Sequence, residues 1–391
     1  MVNNFTLSDI DRETVVFLFI NGPHHVHHLI LPAMNFAINQ KSYQTVLISG
    51  SKVNTEIIRK TWHRLGCPEI GFIELPKPIR YYFPNYKNKL FPPPYTCWGK
   101  IQKHVRYAAA VVSTSHEAKN YFQKYEITGP NLIYKFHGVG TRDYSFEQGL
   151  NQFDLLLVPG VYYFERLVNQ LTLDQRSIQI VGHPKFEWQD LMCAKQPILF
   201  NNKNPIFYYN PHWNTELSSF VNWSKPILNF FYNNKDYNLI FAPHPLLKHF
   251  SKREKRDFNY SNYQTENILV DLDGVFSVDG TYCDIADVYI GDVSGIVTEW
   301  ISRKPRPCVF INAHGHDWIK DPSYESWNCG VVIENVSDLE TLLKSSLEKN
   351  KYVNIQETFS ARMIYRGKQS ASEKTANYIK EFLYYSRHKF K

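Results

Sequence analysis

The sequence predicts an α/β protein built from two doubly wound, Rossmann-like domains facing a cleft. Length, composition and the alternation of elements predict it. At 391 residues the chain is about the size of two ordinary domains. Apolar residues make up 43% of it and charged residues 21%, the balance of a chain that buries a core rather than one that stays disordered. Buried strands then alternate with helical segments through both halves, the pattern of parallel sheets.

In the first half, Thr14 to Ile20 reads as a buried strand that ends in an Asn21-Gly22-Pro23 turn. A helix follows through the histidine-rich segment starting at His24, with apolar positions three and four apart. Tyr43 to Gly50 is a second strand, Glu56 to Leu65 a helix closed by Gly66, and "IGFIEL" a third strand. The proline-rich, aromatic stretch from Pro76 to Trp98 breaks the pattern and reads as a long loop over the cleft. "AAAVVSTS", "NLIYKFHG" and Asp154 to Gly160 supply the last strands of this half.

The crossover falls at "IVGHPKF", around Val181 to Pro184. Six further strands follow: "PIFYYN", "NLIFAPH", "NILV", "VYIGD", "PCVFIN" and "GVVIEN". Helices such as "GIVTEWISR" and "SDLETLLKSSLEKN" separate them. The domains run from 1 to 180 and from 181 to 368, with a C-terminal helix, 369–391, packed back on them.

Composition excludes several classes of protein. The six cysteines form no CxxC pair and no repeated spacing, so neither a zinc knuckle nor a disulfide framework is expected, and a reducing cytoplasm fits. "VVFLFI" lacks the basic flank and the length of a signal peptide or membrane span. The net charge is +7. Ser251 to Arg256 and the aromatic tail from Tyr378 to Phe390 concentrate basic side chains of the kind that meet anionic headgroups. The plainer expectation is a solvated face and a packed C-terminal helix, with peripheral association at the inner face of the membrane at most. No nucleic-acid-binding motif accompanies them.

Ligands of open parallel sheets gather beyond the carboxyl ends of the strands. The first candidate there is "YKFHGVGTR". His137 has an ordinary pKa near 6.5 and suits a general base, Gly138 allows close backbone approach, and Arg142 can grip a phosphate. A tight turn with a hydrogen-bonded structural histidine is the alternative. "LIFAPHPLL" holds His244 between two prolines, the second of them Pro245, at the end of a strand, where phosphate ligands collect; a functional site is the favoured reading and a core-capping histidine the alternative. In "VYIGDVSGIVTEW", Ser294 and Gly295 open a helix whose backbone N–H groups suit an anion. Asp292 would orient those groups or fix a nearby histidine, and Glu299 would either reach a ribose or be exposed. Helix capping explains Asp292 and Ser294 equally well.

Other signals are discounted. His24, His27 and His28 are spaced like a metal-binding helix face but lack a carboxylate or cysteine cluster, so no metal site is expected. Asp271 to Gly274 reads as a polar turn and His314 to His316 as a loop.

Taken in order, these motifs resemble the CDP-glycerol glycerophosphotransferase family, the teichoic-acid and capsule polyol-phosphate transferases of the GT-B fold, over roughly Tyr134 to Phe310. "HGVGTR" looks like the family's histidine-glycine motif, with His137 and Arg142 in matching places, and "GHPKFE" is similar to its Gly-x-Pro-Arg linker. "IFYYNPHW" resembles its strand ending in Pro-Thr-Trp, with Pro211 kept and His212 where threonine is usual. "APHPLL" carries over the second essential histidine, His244. "IGDVSGIVTEW" resembles Thr-Asp-Tyr-Ser-Ser, with Val293 and Gly295 as departures and Glu299 near the family's aspartate.

The resemblance implies a nucleotide-diphosphate donor held by the C-terminal domain and a glycan, polyol or lipid-linked acceptor on the N-terminal side. It requires no cofactor and no metal. His137 would be the base, while His244, Arg142, Ser294 and helix-end amides stabilise growing charge. Three readings compete: a glycosyltransferase using a UDP- or CMP-linked sugar, a UDP-sugar 2-epimerase, and a non-catalytic nucleotide-sugar-binding subunit.

Overall fold

The computed structural model describes residues 5–66, 70–78, 92–146, 148–193, 195–244, 247 and 260–388. The chain divides into two compact units. One comprises Met1–His137, Phe146–Met192 and Ile364–Lys391; the other comprises Gly138–Ser145 and Cys193–Met363. The boundaries thus fall after Met192 and Met363, against the sequence-derived 180 and 368. The first difference has a local cause. The helix Pro184–Met192 packs on the helix Val26–Asn39 of the first unit, and its Trp188 Nε1 donates to Thr61 Oγ1 at 2.9 Å.

The first unit is a seven-stranded parallel sheet. Its strands are β1 (Thr14–Phe19), β2 (Gln44–Ser49), β3 (Gly71–Glu74), β4 (Ala110–Ser113), β5 (Asn131–Lys135), β6 (Leu155–Val158) and β7 (Ile178–Ile180). They lie in the order β3-β2-β1-β4-β5-β6-β7. Around it lie α1 (Val26–Asn39), α2 (Lys52–Leu65), α3 (Pro94–Val105), α4 (Ala118–Lys124), α5 (Val161–Leu171) and α6 (Pro184–Met192). All six residues of β1 are buried, as a strand covered on both faces requires. Gly66 ends α2 with φ 61°, the left-handed cap its position predicts.

Two readings of this half need correction. β7 is an additional edge strand whose Ile-Gln-Ile sequence is broken by a glutamine and so does not stand out as a hydrophobic run. The proline-rich stretch is not loop throughout. α3 begins at Pro94, where proline occupies the first helical turn and no amide is wanted. Residues 79–91 lie outside the described residues.

The second unit holds six parallel strands: β8 (Ile206–Asn210), β9 (Asn238–Phe241), β10 (Ile268–Val270), β11 (Val288–Gly291), β12 (Cys308–Ile311) and β13 (Val331–Ile333). Their order is β10-β9-β8-β11-β12-β13, and all six are where the hydrophobic runs predict them. The helices are α7 (Phe220–Asn233), α8 (Val275–Val278), α9 (Thr281–Ile285), α10 (Gly295–Arg303), α11 (Leu339–Ser345) and α12 (Val353–Met363). One core face combines Phe207, Tyr209, Leu239 and Ile290 from the strands with Trp223, Ile227 and Phe231 from α7.

The chain ends in α13 (Ala371–His388), which belongs to the first unit and packs on α1 and α6. Its N-terminus is held by Glu187, whose carboxylate accepts from the Ser372 amide at 3.2 Å and also meets the Ala371 amide and the Ser372 hydroxyl. A carboxylate there satisfies orphan N–H groups and the positive end of the helix dipole. At Gly182, φ is 89° and an added Cβ would lie 2.9 Å from the Tyr365 carbonyl oxygen and from Ala371. Only glycine fits there.

Each unit is thus a Rossmann-like, doubly wound domain, and two such domains in one chain are the GT-B class of fold. No helix among the described residues is long and apolar enough to cross a membrane. None of the five described cysteines forms a disulfide.

Candidate functional site

Each sheet has a point where the strand order reverses, and loops diverge there to leave a crevice beyond the carboxyl ends. In the first sheet that point lies between β1 and β4. The loop after β1 is anchored by Asn54 of α2, whose Nδ2 donates to the Phe19 and Asn21 carbonyls at 2.8 and 2.9 Å. That anchor sets the direction in which His24 and His25 leave the strand.

His137, following β5, joins them. Its ring centroid lies 4.0 Å from that of His25 and 6.1 Å from that of His24. Thr114, following β4, ties two of the rings down: its carbonyl bonds His137 Nδ1 at 2.7 Å and its hydroxyl bonds His25 Nδ1 at 3.0 Å. A carbonyl only accepts, so His137 carries its proton on Nδ1 and its lone pair on Nε2.

Burial drives the His137 pKa down to about 3, with the charges of His24, His116 and Lys135 adding to it and the Thr114 bond opposing. His25 and His28 lie well below their ordinary value for the same first reason. Lys135, the last residue of β5, is fully buried. Burial lowers its amine to about 7, against the opposing pull of Glu187, and Nζ donates to the Phe136 carbonyl at 2.9 Å. The crevice is therefore lined by imidazoles that stay uncharged at neutral pH.

The supposed metal face of α1 is taken apart by packing. His27 stacks on Trp188 at 3.9 Å and His28 meets His183 at 5.0 Å, whereas the three histidines whose ligand nitrogens come together are His24, His25 and His137.

In the second sheet the order reverses between β8 and β11. His212 follows β8, Asp292 follows β11, and His244 stands beyond β9. His212 and His244 have ring centroids 6.2 Å apart. The His244 amide donates to the Pro211 carbonyl at 3.1 Å, which joins the two loops. His212 Nδ1 accepts from the Asn214 amide at 3.0 Å, so its proton sits on Nε2 and the ring presents a donor.

Burial pushes His212 down to about 2 and His244 to about 4. In both, the guanidinium of Arg142 is the next cause. That cation arrives on Gly138–Ser145, which belongs to this unit. Thr141 Oγ1 donates to the Ser323 carbonyl at 2.5 Å, and the Gly140 backbone lies against Gly295, so that a Cβ on either would be 3.6 Å from the other's backbone.

Asp292 is completely buried, and its Oδ2 accepts from the His212 and Ser219 amides at 2.7 and 3.0 Å. Desolvation raises it to about 7 against those two bonds. It therefore holds the β8–α7 loop and touches no histidine ring. Ser294 is the N-cap of α10, its Oγ accepting from the Ile296 amide at 3.4 Å. Gly295 opens the helix. Glu299 is buried, not exposed, because its position on α10 faces inward. Gly138 is half-buried and Pro211 buried. Pro245 and the Ser251 to Arg256 run lie outside the described residues.

The discounted signals resolve into ordinary structure. Asp271 closes a turn by accepting from the Asp273 and Gly274 amides. His314 and His316 bond the carbonyls of Ser218 and Glu216.

His25, Thr114 and Lys135 escape a reading of the sequence. The only signals for them were the lysine ending an otherwise apolar strand and the length of the histidine run.

Two switch-point crevices, one lined by neutral imidazoles and the other by a guanidinium, two imidazoles and a helix N-terminus, define a two-domain GT-B-type protein. No family model matches the sequence, and no curated protein does. Among solved structures, the chain is similar to a variant of the wall teichoic acid polymerase TagF, with 13% identity, TM-score 0.61, and coverage of 98% of this chain and 92% of that one. It is also similar to MnaA of S. aureus in complex with UDP, with 13% identity, TM-score 0.60, and coverage of 95% and 97%. A third is the UDP-GlcNAc 2-epimerase of Neisseria meningitidis bound to UDP-GlcNAc, with 10% identity, TM-score 0.53, and coverage of 95% and 100%. At these identities the likeness establishes the fold.

Proposed function

We propose that the chain is a transferase of cell-surface polymer synthesis that moves a glycerol-phosphate-type group from a CDP-activated donor to a hydroxyl of a glycan or polyol acceptor. The observation that carries this reading is the convergence of Arg142, His212 and His244 beside the N-terminus of α10. A fixed cation, an N–H donor and helix-end amides are what a diphosphate needs. The motif resemblance to the glycerophosphotransferases and a TagF structure soaked with CDPG, with TM-score 0.59, favour the CDP-polyol donor.

His137 is the base in this reading. The acceptor oxygen attacks the phosphorus bearing glycerol, the bond to the CMP phosphate breaks, CMP leaves, and the acceptor proton goes to His137 Nε2. A pKa near 3 leaves the ring unprotonated but weakly basic. The dianionic donor supplies the missing driving force, because a nearby negative charge raises an imidazole's pKa. His212, His244, Arg142 and the α10 amides meet charge growing on the phosphate oxygens.

A nucleotide-sugar donor is the second reading, favoured by the UDP and UDP-GlcNAc of two structural neighbours. Incubation with CDP-glycerol, CDP-ribitol and UDP-, GDP- and CMP-sugars, read by mass spectrometry beside His137→Ala, separates the two. CMP release from a CDP-polyol, lost in the variant, is the expected result. Turnover of a nucleotide sugar alone would move the protein to the glycosyltransferases.

A further inference from the structure

We propose that His24, His25 and His137 form a binding site for one divalent transition-metal ion of the zinc class. Their ligand nitrogens all lie within 4.8 Å of one another. Imidazoles on a tetrahedral zinc ion, at ~2.0–2.1 Å from the metal, stand about 3.4 Å apart. Closing the set therefore asks the nitrogens to draw together by about 1.4 Å at most, the difference between 4.8 Å and that spacing.

The outer shell is a second, independent observation. Metal-bound histidines characteristically give their other nitrogen to a carbonyl or a similar group, which fixes the ring and the tautomer. Thr114 does this for two of the three rings, through its carbonyl to His137 and its hydroxyl to His25. The donor set is three neutral nitrogens without a carboxylate, which excludes the oxygen-seeking Mg²⁺ and Ca²⁺ and suits Zn²⁺, Cu²⁺ or Ni²⁺. Three protein ligands with one on the surface leave a fourth position for water.

One consequence rests on the reading of His137 as the base. A lone pair that holds a metal ion cannot take a proton, so the metal-loaded protein is catalytically silent and a chelator restores it.

The test is titration of the metal-stripped full chain with Zn²⁺ in competition with a chromogenic chelator, without any donor. One zinc per chain is expected. His24→Ala and His25→Ala should each weaken binding by about tenfold or more, and Thr114→Val by about tenfold. His63→Ala, at an exposed histidine of α2, should bind as the wild type does. His24 is exposed, so its removal leaves the fold intact, which circular dichroism checks. Failure of the wild type to compete with the chelator, or binding that survives both histidine substitutions, overturns the site. Because no donor is present, these outcomes stand apart from the fate of the CDP-polyol reading.

Discussion

The two units share the order of six strands, to which the first adds β7, but fill it with different chemistry. In the first, the segments after β1, β4 and β5 carry His25, Thr114 and His137. In the second, those after β8, β9 and β11 carry His212, His244 and Asp292. The same switch-point geometry therefore presents neutral imidazoles held by one threonine in one unit. In the other it presents imidazoles depressed first by burial and next by the nearby Arg142 charge. A parallel sheet supplies the crevice, and the residues beyond the strands decide whether it offers neutral lone pairs or a cation.

The largest expected effect separates base from donor site. His137→Ala should lower kcat with a CDP-polyol by about 10²–10⁴-fold, the range for losing a general base, while leaving donor affinity by calorimetry unchanged. A matching loss of affinity would erase the division between the units.

Acid stability comes next. His137, His212 and His244 have folded pKa values of about 3, 2 and 4, below the ordinary 6.5. Their contribution is present above that value and is lost as pH falls toward the folded values, because the unfolded state binds the extra protons. Each costs up to about 1.4 kcal/mol per pH unit over that window. Asp292, raised to about 7, works the other way: its contribution is complete below its ordinary 3.8 and is lost as pH rises to about 7. Three histidines outweigh one carboxylate, so Tm should fall on acidification from pH 6.5 to 5. A flat or rising Tm would show the imidazoles to be solvated.

Asp292→Ala strands the two amides of the β8–α7 loop and should lower unfolding free energy in urea by about 2–4 kcal/mol. Arg142→Ala should weaken CDP-donor binding about tenfold. Lysine would restore only part of that, since it keeps the charge without the planar fork. Ser294→Ala should cost about 1 kcal/mol as a lost helix cap; an additional loss of donor affinity would bring its hydroxyl into the phosphate site.

Much of the fold was legible along the chain, because both faces of a parallel strand are buried and each strand reads as a hydrophobic run. β1 and β11 stand out in this way, and β7 escapes because Gln179 interrupts its two isoleucines. The candidate site was legible in part. His137 and His244 follow such strands, so their place at a carboxyl edge is a local property, as is the cap geometry of Ser294 before α10.

What the sequence by itself determined is this local grammar: the strands, the helices, and which residues stand just beyond them. Only the tertiary structure decided the company they keep. It turned His27 and His28 into packing partners of Trp188 and His183, brought His25 to His137 across Thr114, and set Arg142 beside two histidines. It also buried Asp292 and Glu299. The physical reason is that strand adjacency is non-local. The order β2-β1-β4-β5 brings distant loop ends together, and burial among those neighbours, not spacing along the chain, sets their charge.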